Sequence, residues 1–346
     1  MLIKFKNLAE NCFFYILILL KSVFLITSSQ KKIINIPAIR SDSAGFQLTL
    51  KLVNTIQEDS INEFLFDFTK CSKLSHNGIV ILGGVINYIE NQNVLKKEVF
   101  KKNISWVGID FKKNSMSQLL IENLTSYNFF NYFNKNIESI SHNNTERYIG
   151  YREHTSVLDV NALTEYLEYD WLSNDKLKLS NKLKGQIISK IMEIFMNAYG
   201  HGVKGQEHKK LGVYSCSEYD KSERKLHLSV LDFGIGIVKN VMKHSNITDK
   251  IKAMEWALTL GNSTNTDSKD PIARGLGLAL LVEFVKINKG QLQIFSNDVM
   301  AYVNKDGSFT ITTNKFPISG TLVSITINCD DRFYAFASEK KPHNFF

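Results

Sequence analysis

At 346 residues, 44% hydrophobic and 22% charged, the chain can build two domains with real cores and is too apolar to be disordered. Four prolines and nineteen glycines leave little room for a low-complexity linker. The net charge of +8 comes without a dense Lys/Arg run interleaved with aromatics, so nucleic-acid binding is not indicated.

Residues 1–32 stand apart as an apolar N-terminal extension. Cys12 to Thr27 is a sixteen-residue apolar run with Lys21 inside it, short of the roughly 20 residues a spanning helix needs. Lys4 and Lys6 precede it like the basic start of a secretory signal, but no small-x-small cleavage site follows. Three readings stand: an extra apolar helix or over-extended start, a membrane-associated segment, and a cleaved signal.

Residues 33–145 read as an α/β domain, with strands and helices in alternation. Phe46–Leu52 alternates like an early strand or a helix start. Residues 62–68 and 104–111 are expected strands, and 79–89 and 118–133 expected helices. Residues 146–180 are a connector with a helix over Val157–Trp171.

Residues 181–330 form the expected second domain, followed by a tail at 331–346. Leu183, Ile187, Ile191, Ile194 and Ala198 recur at helical steps. Leu211–Tyr219 and Lys225–Leu231 flank a polar turn and read as a hairpin. Residues 238–273 read as a long polar loop with one helical piece near 253–260, a length typical of functional lids. A helix over 276–288 and four strands, Gln291–Ser296, Ala301–Asn304, Ser308–Thr313 and Leu322–Asn328, close the domain.

Of the four cysteines, Cys12, Cys71, Cys216 and Cys329, none forms a CxxC or lies near a His at metal-ligand spacing. Free, mostly buried thiols in a reducing cytoplasm are the expectation.

Three stretches carry chemistry. Glu193 and Asn197 are four apart on one helix, on a face away from the apolar stripe. An amide oxygen suits Mg²⁺, and a carboxylate one turn away can accept a proton. Asp232 ends a strand-like run, where it can accept from an amino group, and Gly234 and Gly236 let the backbone approach a flat ligand. Arg274, Gly275, Leu276, Gly277 and Leu278 open a helix whose free N–H groups suit phosphate. Taken singly, each is also an ordinary polar face, turn or helix start.

In this order and spacing the three stretches resemble the N, G1 and G2 boxes of the GHKL ATP-binding superfamily, which holds gyrase-type topoisomerases, Hsp90, MutL, sensor histidine kinases and, nearest in kind, anti-sigma serine kinases. The resemblance implies a Bergerat α/β sandwich with helices on one face of a mixed sheet. It implies Glu193 as general base, Asn197 as magnesium ligand, Asp232 with Gly234 and Gly236 at the adenine, and Arg274 to Leu278 at the phosphates. Thr321, after Gly320, matches a further adenine-holding position. His201 reads either as bordering the phosphates or as part of the helix end. The cofactors implied are ATP and Mg²⁺.

A second stretch, Asp67 to Ile79, is similar to the strand–loop–helix of STAS domains, the anti-sigma antagonist modules. Their phosphate-accepting serine falls here on Asn77, which cannot be esterified, so the phospho-switch does not carry over. His154 lacks the following pattern of a histidine-kinase phosphoacceptor and reads as a surface or packing residue. The expected function is a slow Mg-ATPase switch coupled to the STAS-like domain and working on a regulatory protein partner. A serine/threonine kinase acting on another protein and a nucleotide-gated module without turnover are the alternatives.

Overall fold

The computed structural model describes residues 31–41, 43–57, 63–100, 108–133, 148–154, 158–203, 211–259 and 277–339. The apolar run at 12–27 lies outside them. Among the described residues no helix is long and apolar enough to cross a membrane.

The first unit is a βαβαβ array. Strands β1 (Lys32–Asn35), β2 (Phe64–Asp67) and β3 (Ile109–Phe111) pair in parallel in that order. Helices α1 (Ser43–Gln57) and α2 (His76–Phe100) make the crossovers that parallel neighbours require. Phe46–Leu52, open between strand and helix on sequence, is therefore helix. Helices α3 (Gln118–Ser126) and α4 (Phe129–Tyr132) follow. Ser117 caps α3 by accepting from the Leu120 N–H.

The second unit is a five-stranded sheet in the order β4-β5-β6-β8-β7, formed by Tyr148–His154, Val213–Asp220, Lys225–Asp232, Phe309–Asn328 and Gln291–Val303 respectively. Every described pairing in it is antiparallel. The expected mixed sheet is thus corrected. Tight hairpins join β5 to β6 and β7 to β8, and a short turn between adjacent strands permits only antiparallel pairing. In the first hairpin the Asp220 carboxylate accepts from the N–H groups of Ser222 and Glu223.

One face of this sheet carries α5 (Val160–Glu165, continued by a π-helical turn to Trp171), α6 (Asn181–Asn197, continued by a π-helical turn Ala198–Val203) and α9 (Gly277–Asn288). Helices α7 (Ile237–His244) and α8 (Lys250–Leu258) pack into the same core. All five of these helices share one core on that face of the sheet. Helix α2 covers the other face, and a single core runs from Ile34 and Phe66 through Val85 to Tyr214, Leu231 and Leu322. This explains why residues 79–89 are apolar on nearly every side: α2 lies between two sheets and has little solvent face to leave polar.

Three expectations shift. Strand β4 lies in the expected connector: its own residues give a weak alternation and its pairing with β5 is non-local. Helix α7 lies in the expected loop: Val238 and Val241 are buried while its Lys and His residues form the outer face. The last four expected strands are two long ones, β7 bending through a bulge at Ser296, Asn297 and Val299.

The contact between α2 and the sheet is partly polar. His76 and Asn77 are fully buried at the start of α2. His76 Nδ1 lies 2.9 Å from Ser229 Oγ, and its ring stacks on His227 with centroids 4.7 Å apart. Asn77 Oδ1 accepts from the hydroxyls of Ser229 and Ser324. Asn77 is therefore closed off by the chain's own sheet. The Asp67 carboxyl at the end of β2 is held well below the usual range by Lys112, 2.6 Å away, and by Thr69. Cys71, Cys216 and Cys329 are buried free thiols.

Burial lowers the imidazoles of His76, His154 and His227, with His154 and His227 brought to about 4. At His154 and His227 the unfolded chain takes up a proton below about pH 6.5, while the folded chain resists until about 4. The histidines' contribution to stability is then full above about pH 6.5 and is lost as pH drops from there towards 4, against an opposite, smaller trend from the Asp232 carboxyl. Urea unfolding at about pH 7.5 and about pH 5 should show this loss, and His227→Gln should remove about 2 kcal/mol of it.

Candidate functional site

The site is built at the end of the antiparallel sheet where β6 finishes. Asp232 is the last residue of β6 and pairs directly with Thr321 of β8. Its carboxyl is buried and accepts from the Gly234 N–H at 2.8 Å and from the Thr321 N–H. Burial pushes this carboxyl up to about 7, and the two N–H donors only partly offset that rise. Thr321 is also buried, with its hydroxyl 3.1 Å from Ser296 Oγ.

Two helices are aimed at this same end. Helix α6 starts at the opposite end of the sheet, where the Ser180 N–H donates to the Tyr334 carbonyl and Leu179 bridges Tyr334. Ser180 caps α6 by accepting from Leu183 N. At 1.5 Å per residue its seventeen residues span about 25 Å, close to the length of the eight-residue β6. Its π-helical continuation then contacts β5, β6 and β8. Helix α9 runs the other way: Asn288 at its end is bonded to Asn328 and to the Tyr334 hydroxyl, and a tight turn at Lys289 and Gly290 leads into β7. Gly277 and Leu278, at its start, therefore lie towards the Asp232 end.

On α6, Leu183, Ile187, Ile191 and Ile194 are buried, Glu193 is half-buried and Asn197 is exposed. The helical face expected from the sequence is present. Glu193 is ion-paired with Lys190 at 2.6 Å, one turn back, so its carboxylate leans towards the start of the helix. His201 lies in the π-helical turn. Arg274, Gly275 and Leu276 lie outside the described residues.

The loop after Asp232 is held by residues the sequence reading did not single out. Helix α7 has Gly236 at its N-cap and no side-chain cap of its own. Its first N–H groups are satisfied from β7 instead: Ile237 N donates to Ser296 Oγ at 2.7 Å and Lys239 N to Asn297 Oδ1 at 3.1 Å. Asn297 Nδ2 returns a bond to the Ile235 carbonyl at 2.9 Å. Gly236 has φ +81°, and a Cβ there would lie 2.5 Å from the Asn297 amide, so both the turn and the approach need glycine. Asn297 itself has φ +56° within the bulge. An Asn interrupting a strand-like run is the available sequence signal for such a bulge.

No protein-family model matches the chain, and a search of characterised proteins also returns no match.

Asn297→Ala should release the loop: it strips a donor and an acceptor from buried backbone groups, with an expected cost of about 1–3 kcal/mol. Urea denaturation measures the loss, and hydrogen exchange should rise at Ile235 to Lys239 before it rises in β6.

Proposed function

We propose that this chain binds Mg-ATP at the Asp232 end of the sheet in the GHKL manner and hydrolyses it slowly, as a switch coupled to its N-terminal α/β unit. The observation that carries the reading is the buried Asp232–Thr321 pair. It is a buried hydrogen-bond acceptor beside the Thr321 hydroxyl, at the end of the sheet towards which α6 carries Glu193 and Asn197 and at which α9 begins. Such a donor and acceptor set fits a flat base bearing an amino group.

Asp232 accepts from the base amino group, and Thr321, its hydroxyl backed by Ser296, lies beside it. Gly234 and Gly236 keep the facing backbone free of side chains. Two N–H groups of the α7 start are consumed by Ser296 and Asn297, so the phosphate seat falls to the start of α9, with Arg274 to Leu278. Asn197 would hold the magnesium through its amide oxygen. Glu193, fixed by Lys190, accepts a proton from the attacking hydroxyl or water. When bound, Mg-ATP supplies the phosphoanhydride whose cleavage drives the switch. Labelled ATP distinguishes the alternatives: free phosphate indicates hydrolysis, labelled protein indicates a kinase, and neither indicates a module that only binds. The burial of Asn77 supports an acceptor outside this chain in the kinase case.

Glu193→Ala should keep Mg-ATP affinity and lose turnover by about 10²–10⁴. Calorimetry and phosphate release on one preparation test both halves, and turnover within about threefold of the parent would remove Glu193 as the base.

Because the carboxylate is the accepting form, nucleotide binding draws Asp232 towards ionisation. Affinity should therefore rise with pH through about 7 and level off above it, with a proton released on binding near pH 6.5. Calorimetry in buffers of different ionisation heat measures that proton. Asp232→Asn should abolish both effects and cost about 1.5–3 kcal/mol of adenine binding.

A further inference from the structure

The N-terminal unit holds the site strands directly. The Gln57 side chain, at the end of α1, grips the backbone of Ser319 twice: its Nε2 donates to the Ser319 carbonyl at 3.1 Å, and its Oε1 accepts from the Ser319 N–H at 2.7 Å. Asn54, one turn earlier, donates to the Pro317 carbonyl at 3.0 Å. These are the bonds a neighbouring strand would make, supplied here by a helix end. Ile318, between the gripped residues, is buried in the N-terminal core.

Ser319 is followed by Gly320, with φ +117° and its backbone pressed against the Asp232 carbonyl, and then by Thr321, whose N–H donates to the Asp232 carboxyl. A shift at Ser319 thus reaches Asp232 within two residues. The other strand is held too. Phe233, directly after Asp232, sits in the same core, with its ring 5.3 Å from that of Tyr88 on α2. Helix α2 comes close at this point: a Cβ on Gly84 would lie 2.6 Å from a Leu231 methyl and 3.1 Å from the Phe233 ring.

We infer that Gln57 and Tyr88 are positioning residues through which the N-terminal α/β unit sets the geometry of the Asp232–Thr321 pair and so regulates nucleotide affinity, an inference that rests on the proposed reading of that pair. The Gln57 bonds lie at an exposed helix end, where water competes for them, so they can be broken without opening a core. Anything that displaces α1 would release Ser319 and loosen the pair. By linkage, nucleotide would in turn tighten the grip of α1 on β8.

The test uses the full chain with Gln57→Ala, Gln57→Glu and Tyr88→Leu. Without nucleotide, Gln57→Ala should raise hydrogen exchange at residues 319–321, and Tyr88→Leu at 233–236, with the rest of the sheet unchanged. Mg-ATP binding should weaken about three- to tenfold, the range expected from losing one or two modest hydrogen bonds. The midpoint of its pH dependence should move up from about 7, because a looser Thr321 N–H no longer favours the carboxylate. Gln57→Glu, which keeps the acceptor but not the donor, should fall between parent and Gln57→Ala. A purely structural contact would lower the melting temperature and leave affinity and the pH midpoint alone; that result overturns the inference. Unchanged exchange in a folded Gln57→Ala overturns it without reference to nucleotide. Failure of the parent chain to bind Mg-ATP removes the reading of the site, and the regulation with it, and is told apart by the exchange experiment.

Discussion

The register between β6 and β8 is the constraint on which the rest depends. It sets Asp232 opposite Thr321, Ser229 opposite Ser324 and Leu231 opposite Leu322. Side chains alternate along a strand, so a slip of one residue would turn each of these to the wrong face. Leu226, Leu228 and Val230 would leave the core under α6 and α9, and His227 and Ser229 would leave the face that receives α2. The buried faces on both sides therefore fix the register, and the register assembles the candidate site.

Keeping Asp232 buried is costly in the absence of a partner. Its carboxyl favours the protonated form up to about pH 7, against 3.8 for the free group. Ionising it inside the fold thus costs stability, a cost absent below about pH 4 and fully felt once pH exceeds about 7. The size is on the order of a few kcal/mol. A site that holds such a carboxyl between two N–H donors gains most from a ligand that brings a further donor. The α2 interface has a related character. His76, Asn77, Ser229 and Ser324 occupy positions where apolar residues would pack more cheaply, and His76 Nε2 and Asn77 Nδ2 make no hydrogen bond there. That contact is specific rather than maximally stable.

Much of the fold was legible wherever a segment's own pattern matched its final environment. The apolar steps of α6 lie on its buried side, and the hairpin of β5 and β6 is marked by two strand-like runs and a polar turn. Asp232 and Thr321 could be marked as chemical candidates, although nothing local shows that they face each other across a ladder. Ser296 and Asn297 carry no local signal of their capping role because the helix they cap has its bonded N–H groups 59 and 58 residues earlier, and local propensity carries no trace of a bond over that distance. Strand β4 was missed for the same reason, since its identity comes from β5 rather than from Tyr148 to His154 themselves.

The sequence by itself determined which residues seek burial and which stay polar: the stripe of α6, the placement of Glu193 and Asn197 off that stripe, the glycines around Asp232 and the alternation of strand and helix before residue 133. These follow from side-chain period and backbone freedom, both properties of a few neighbouring residues. Only the tertiary structure decided that the five-stranded sheet is antiparallel and covered on both faces, that α2 closes over Asn77, and that Gln57 reaches Ser319. Each of these joins segments far apart in the chain. Contacts at such separation are selected by the total surface they bury and the polar groups they satisfy together, and no single segment contains that sum.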